Sequence, residues 1–535
     1  MHNKNNVVRI VVSLALAVSA ATAMAAPPVQ AERFQDYWSP GKLDRALCRS
    51  PVLVGTPVGL PRCMEADNVL SRLEALQNIA TLNGGNRASG QPGYQASVDY
   101  VRAELERAGY QVQIQPFPFL AFYPSGPGTL AQVAPQQAQY VWEEDFTYLE
   151  QTDAGSVSAP VVAVDVALGA GNTSTSGCEA EDFTGFPAGA IALIQRGTCT
   201  FGQKATNAAN AGAAGVIIFN QGDSEDRTGL MNATLGEDYA GGIPVLFATY
   251  ELGATWAQTA GLEMSMSTDV VRERTETYNV IAETARGNPD NVVMVGAHLD
   301  SVFEGPGIND NGSGSAALLE MAVLMGKAHP QNKVRFAWWG AEESGLVGST
   351  YYVDQLSDDE RGRIKAYLNA DMVGSPNYVN FVYDGDGSEF GLQGPPGSAA
   401  IERLLRAYFD LRNQPSEGTE IDFRSDYAQF FEVGIPFGGL FTGAEDIKTP
   451  EQAQLYGGAA GQPYDACYHS ECDDLGNISR EALELHGDAL AFATSWLSLS
   501  TKAIDDEIAA AAEQSIGTMR IQQVQEKSRW GHWIR

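Results

Sequence analysis

The chain has 535 residues, too many for one ordinary core, so two or three domains are expected. An apolar content of 44% and a charged content of 19% are those of a globular protein and exclude a disordered one. Sixty-six acidic against 34 basic residues give a formal net charge of −32, which argues against nucleic acid and membrane surfaces as partners, since both are bound through clustered Lys and Arg.

Residues 1–25 read as a secretory signal peptide: Lys4 and Arg9, then an apolar Ile10–Ala20, then the small-residue cleavage site Ala23-Met24-Ala25. The apolar run is shorter than the roughly 20 residues of a membrane span. The expectation is therefore a secreted protein, extracellular or periplasmic, cleaved near Ala25. Six cysteines suit an oxidising compartment and fall as sequence-local pairs: Cys48 with Cys63, Cys178 with Cys199, and Cys467 with Cys472. Six cysteines allow fifteen connectivities, so neighbour pairing is an expectation and not a deduction.

Residues 26–66 are Pro-rich and irregular and form a candidate pro-segment. Leu70, Leu73, Leu76 and Ile79 recur at helical spacing, and Val98, Val101, Leu105 and Ala108 line a second helix over Tyr94–Ala108. Gly109 stops it, and Tyr110–Phe117 alternates as a strand does. The texture then shifts to Ala, Gly, Val and Thr, with strand-like runs at Gly189–Gln195 and Gly215–Asn220 around a helical Lys204–Ala211. The stretch GAIALIQRGTCTFGQKATNAANAGAAGVIIFNQ resembles a protease-associated (PA) domain, which implies a small β-rich insertion flanking an active-site cleft.

Strand texture resumes at Tyr278–Glu283 and Val292–Ala297. The helix Ala316–Gly326, the strand Lys333–Trp339, a helix near Gly348–Leu356, the strand Ala366–Ala370 and a closing helix near Glu481–Ser500 follow. Strands separated by helices predict an α/β fold, a mainly parallel mixed sheet sandwiched by helices. The ends of these strands carry His298 with Asp310, then Glu342 and Glu343, then Asp371, and a disulfide-flanked loop carries His469. In open α/β sheets such ends converge on one crevice. Taken singly, each residue also reads as a cap or a satisfied polar group. The set reads as a metal centre, because imidazole and carboxylate suit zinc and Asp310 could bridge two ions. Of the adjacent glutamates, one could coordinate while the other takes a proton.

VGAHLDS, GINDNGSG, WWGAEESGLVGS, NADMVGS and CYHSECD resemble, in order, the motifs of secreted di-zinc aminopeptidases of peptidase family M28, most of all the Streptomyces-type leucine-preferring enzymes. The resemblance implies two zinc ions, with calcium possible but unassigned. It implies His298, Glu343 and a shared Asp310 at one ion, and Asp371, His469 and the same Asp310 at the other. Glu342 would be the general base, Asp300 the carboxylate orienting His298, Tyr468 the stabiliser of the oxyanion, and Arg424 a substrate-site residue. Where these relatives usually carry His, this chain has Tyr427. Asn311-Gly312-Ser313 is a glycosylation sequon expected to stay unmodified inside the metal loop.

The organisation expected is a signal peptide at 1–25, an N-terminal segment at 26–66, a catalytic domain at 67–130 and 276–502, an inserted PA domain at 131–275, and a tail at 503–535. The activity expected is removal of an N-terminal residue, large and apolar, from peptides with a free amine by a monomeric enzyme. A carboxypeptidase or other amidohydrolase on the same scaffold is the alternative, but it would need an Arg cluster. A non-catalytic PA-containing binding protein would be expected to lack ligands or the base.

Overall fold

The computed structural model describes residues 47–231, 233–236 and 238–513. The signal-peptide reading, residues 26–46 of the N-terminal segment and residues 514–535 of the tail lie outside the described residues. Two eight-stranded sheets carry the fold. The first runs β1 (Val112–Pro124), β10 (Val270–Glu283), β12 (Asn332–Trp339), β11 (Asn288–His298), β13 (Ile364–Ala370), β16 (Phe437–Phe441), β14 (Phe381–Tyr383), β15 (Glu417–Thr419). Its centre, β12-β11-β13-β16, is parallel, and antiparallel pairs flank it.

Parallel central strands are covered on both faces, which is why they read as unbroken apolar runs. One face packs on the helices Ala66–Leu82, Pro92–Ala108, Gly314–Met325, Ser398–Leu411 and Arg480–Leu499. Gly314–Met325 is buried almost all round, so it lacks the polar face of a surface helix. The other face carries an aromatic cluster in which Trp339, Tyr352, Tyr367 and Phe430 pack together. Gly296 in β11 makes room for it: a Cβ there would lie 2.5 Å from the Tyr367 hydroxyl and 2.6 Å from Trp339 Nε1.

The second sheet runs β3 (Ala138–Gln139), β2 (Thr129–Ala134), β9 (Glu263–Thr268), β5 (Gly155–Val164), β6 (Ile191–Gln195), β7 (Gly215–Phe219), β8 (Val245–Ala248), β4 (Phe146–Tyr148). It is spliced into the first through a two-strand stalk: β1 and β10 pair from Val112↔Ala282 to Pro124↔Val270, so the chain leaves and returns side by side. Three disulfides, Cys48–Cys63, Cys178–Cys199 and Cys467–Cys472, join the sequence-local pairs. No helix among the described residues is long and apolar enough to cross a membrane.

One buried ion pair ties the helices of the first face together. Arg72 Nη2 lies 2.6 Å from Glu320 Oε2, and Asn68 donates to Glu320 Oε1 at 3.0 Å. Glu320 is 4% exposed, so removing its partner strands a charge in the core. Arg72→Met is therefore expected to destabilise the fold by about 3 kcal/mol, read as a lower urea midpoint, and Arg72→Met with Glu320→Leu to recover most of that loss.

Candidate metal centre and active site

Strand register decides which side chains meet. In the parallel pair β11–β13, Gly296 sits opposite Asn369, so His298 and Asp371, each two residues further on, stand level with each other. His298 Nε2 lies 3.3 Å from Asp371 Oδ1 and 3.1 Å from Asp310 Oδ1. On the other flank His298 is opposite Trp339 of β12. Glu343, four residues past Trp339, reaches over that end to the loop closed by Cys467–Cys472. There His469 Nε2 lies 3.1 Å from Glu343 Oε2 and 3.2 Å from Asp310 Oδ2.

These histidine contacts differ from the ligand pairing that the resemblance implied. The close sets at these strand ends are His298, Asp310 and Asp371; His298, Glu342 and Glu343; and Asp310, Glu343 and His469. Asp310 is the shared carboxylate, one oxygen to each histidine. Motif order along the chain carries no register information, and the register brings Asp371 beside His298 while Glu343 lies beside His469. Asp371 Oδ1 and Glu343 Oε1 are buried and accept no hydrogen bond, an arrangement that a cation would satisfy. Two imidazoles and three carboxylates are a donor set that suits zinc.

The carboxylate between the histidines is held from behind by Asp473, which ends the CYHSECD stretch, and by residues outside the motifs. Asp473 takes the backbone N–H of Asn309 on one oxygen at 2.8 Å and that of Asp310 on the other at 3.0 Å. Asn477 donates to both Asp473 and Asp465, and Asn309 donates to Asp465. Arg87, fully buried, donates to the carbonyls of Leu299, Pro306 and Gly307 and so clamps the loop between His298 and Asp310. Ser425 donates to Asp371 Oδ2 at 2.5 Å. Asn311 is fully buried and donates to the Ala370 carbonyl, so its sequon is enclosed by protein.

Asp300 lies on the Nδ1 side of His298. The imidazole Nδ1 is 3.2 Å from the Asp300 carbonyl and 3.7 Å from its Oδ1, which also accepts from the Glu342 N–H. Glu342 is buried, and neither imidazole donates to its carboxylate. Burial pushes its carboxyl well above the ordinary range against the pull of His298, and Glu343, Asp426 and Asp371 add to the rise. Burial also works against the charge of Asp310, but the hydrogen bonds of His298 and His469 outweigh it and hold that carboxyl low. Tyr468 stacks on His469 with ring centroids 3.8 Å apart. Arg424 donates to the Tyr468 hydroxyl at 3.3 Å and pairs with Glu445 at 2.9 Å.

Two sequence features are structural instead. Tyr427 is fully buried and bonded to Asp422 and the Phe423 N–H, a strut under the Asp422–Arg424 loop. His486 lies inside the helix Arg480–Leu499, buried against Asn380.

The site opens into a cleft of about 1940 Å³ whose walls come from both sheets. The inserted unit contributes Trp142, Tyr148, Glu150 and Thr234. Among the described residues that line it, Arg424 is the one Arg or Lys.

Residues 279–494 match peptidase family M28, and residues 157–256 match the PA domain. An "Aminopeptidase" of Pseudomonas aeruginosa is 67% identical over 99% of this chain and 99% of its own. "Leucine aminopeptidase 2" of Trichophyton tonsurans is 38% identical over 81% of this chain and 84% of its own. A solved "zinc aminopeptidase from Bacillus subtilis" superposes with a TM-score of 0.57 at 27% identity, covering 80% of this chain and 94% of that one. With a 67% identical aminopeptidase matched along 99% of the chain and the M28 and PA models matched in turn, one assignment is left: this chain belongs to peptidase family M28 and carries an inserted PA domain.

Proposed function

We propose that the chain is a secreted aminopeptidase that uses two zinc ions to release an N-terminal residue, large and apolar, from peptides with a free amine. The observation that carries this reading is the shared Asp310, with one oxygen 3.1 Å from His298 and the other 3.2 Å from His469. His298, Asp310 and Asp371 would hold one ion, and Asp310, Glu343 and His469 the other. Bound zinc supplies Lewis acidity to the scissile carbonyl and lowers the pKa of a water nearby. Glu342, free of both imidazoles, accepts a proton from that water and passes it to the leaving amine. Tyr468, braced by Arg424, donates to the oxyanion of the tetrahedral intermediate.

Leucine-like preference follows the naming of the Trichophyton relative, and the cleft supplies aromatic walls at Phe423 and Phe441. Secretion is supported by the three disulfides, which persist in oxidising compartments. The carboxypeptidase alternative lacks support, since Arg424, the one fixed cation of the cleft, already pairs with Glu445.

The purified chain is expected to cleave leucyl anilide, to spare its N-acetyl analogue and to stop when a strong chelator removes the metal. Equal cleavage of the acetylated compound, or indifference to the chelator, would overturn the assignment. Glu342→Gln is expected to lower kcat by about 10³-fold, with two zinc ions per chain still found by elemental analysis. Asp473→Asn should weaken zinc binding by roughly 10- to 100-fold, because it loosens the backbone that presents Asp310, and a competitive chelator titration measures this directly.

A further inference from the structure

Side chains two apart on a strand share a face, so Tyr367 and Asn369 of β13 lie on the face that leads to Asp371, just past its end. They continue a buried chain of hydrogen bonds that starts on β12. Trp339 Nε1 donates to the Tyr367 hydroxyl at 2.9 Å, and that hydroxyl donates to Asn369 Oδ1 at 2.9 Å. Asn369 Nδ2 donates to Ser425 Oγ at 2.8 Å, and Ser425 donates to Asp371 Oδ2 at 2.5 Å. The first link passes over Gly296 of β11, where a Cβ would lie 2.5 Å from the hydroxyl and 2.6 Å from the indole nitrogen. Only a strand without a side chain at that point lets the bond cross from β12 to β13. No member is more than 9% exposed, so solvent does not compete for these bonds.

The two ends fix the direction of every proton between them. An indole N–H can only donate, so the Tyr367 oxygen accepts and its own proton is left for Asn369. An amide oxygen that takes this proton turns its NH2 group to Ser425, whose hydroxyl proton then has Asp371 as its acceptor. A carboxylate can only accept, so the far end agrees with the near one. Asp371 Oδ2 is thereby tied down, whereas Oδ1, the oxygen 3.3 Å from His298 Nε2, is buried and accepts no hydrogen bond. Resting on the two-zinc reading above, we propose that Tyr367 and Asn369 are positioning residues for the ion at His298 and Asp371. Oriented by Trp339, they hold the Ser425 proton on Oδ2 and leave Oδ1 as the one oxygen offered to metal. A ligand carboxylate bonded on one oxygen loses its freedom to turn, which is how groups behind a metal ligand act. Among the described residues the chain of bonds reaches Asp371 and neither Glu343 nor His469, so its effect is confined to one ion.

The test reads each ion separately, by competitive chelator titration of the zinc-loaded full chain. A His469→Ala background keeps the ion at His298 and Asp371, and a His298→Ala background keeps the other. Tyr367→Phe preserves the ring that stacks on Phe430 at 3.8 Å and removes only the hydroxyl. Asn369→Asp keeps the shape but replaces the amide donor by a second acceptor for the Ser425 proton. Each substitution is expected to weaken the first ion roughly 10-fold and to leave the second within about twofold. Equal loss at both ions, with a lower urea midpoint, makes these residues part of the core alone and overturns the proposal. So does no loss at either ion. If Asn369→Asp does not fold, Tyr367→Phe decides by itself. If the wild-type chain binds no zinc, the two-zinc reading fails, and crystal structures of the metal-free chain decide the proton order. Ser425 Oγ is then expected on Asp371 in the wild type and turned to the new carboxylate in Asn369→Asp. A Ser425 that stays on Asp371 in that variant overturns the positioning role.

Discussion

Asp310 stands between two imidazoles, and most of the catalytic unit is arranged to keep it there. A carboxylate in that place must overcome a large desolvation cost, and the two histidines are the groups that offset it. They arrive from opposite ends of the unit, His298 on the central strand and His469 on a short disulfide loop. Asp473 grips the backbone on both sides of the peptide that presents the carboxylate, and Arg87 fixes the loop leading up to it. Each of these contacts buries a charge that would be costly alone. Together they make a network in which every member has a partner, the condition under which buried polar groups rigidify a site.

Much of this was legible in the chain because the signals were local. A strand covered on both faces must be an unbroken apolar run, so Val292–Ala297 and Lys333–Trp339 announced themselves, and the ligand types follow them directly. The neighbour pairing of cysteines held for the same reason of short range. What was not legible depended on distance. Arg87 meets Gly307 across 220 residues, and Asn309 meets Asp473 across 164, and a single polar residue in a loop carries no trace of such a partner. Which carboxylate stands beside which histidine has a related cause. Motif order gives the strands, but only the pairing of Gly296 with Asn369 shows that Asp371 is level with His298.

The insertion follows a similar logic at larger scale. A two-strand stalk that pairs along its whole length transmits little freedom, so the second sheet can lend a wall to the cleft without blurring the site. Arg272 on the stalk bonds to Gln151 and Asp153, which fixes the segment just after Glu150 to the strand leading back into the catalytic sheet. The overall negative charge of the chain, which argues against nucleic-acid and membrane partners, acquires a local meaning in a cleft where, among the described residues, the one Arg or Lys is already paired.

Adjacent Glu342 and Glu343 show how finely backbone geometry divides chemical labour. Ala341 adopts a left-handed φ of 53°, which ends β12 in a sharp turn. The next N–H is aimed at Asp300, and the turn is closed when Gly345 and Leu346 donate to the Glu342 carbonyl. Successive side chains at such a turn point in different directions. Glu343 extends to His469 at 3.1 Å, whereas Glu342 remains among His298, Asp300 and Asp426 with no imidazole proton of its own. Burial raises both carboxyls. In the proposed function a carboxylate committed to an imidazole and a cation would have little basicity left to give, and one without an imidazole partner would keep it. The two residues share a side chain and differ by one position, and exchanging their roles would require rebuilding the turn rather than the side chains.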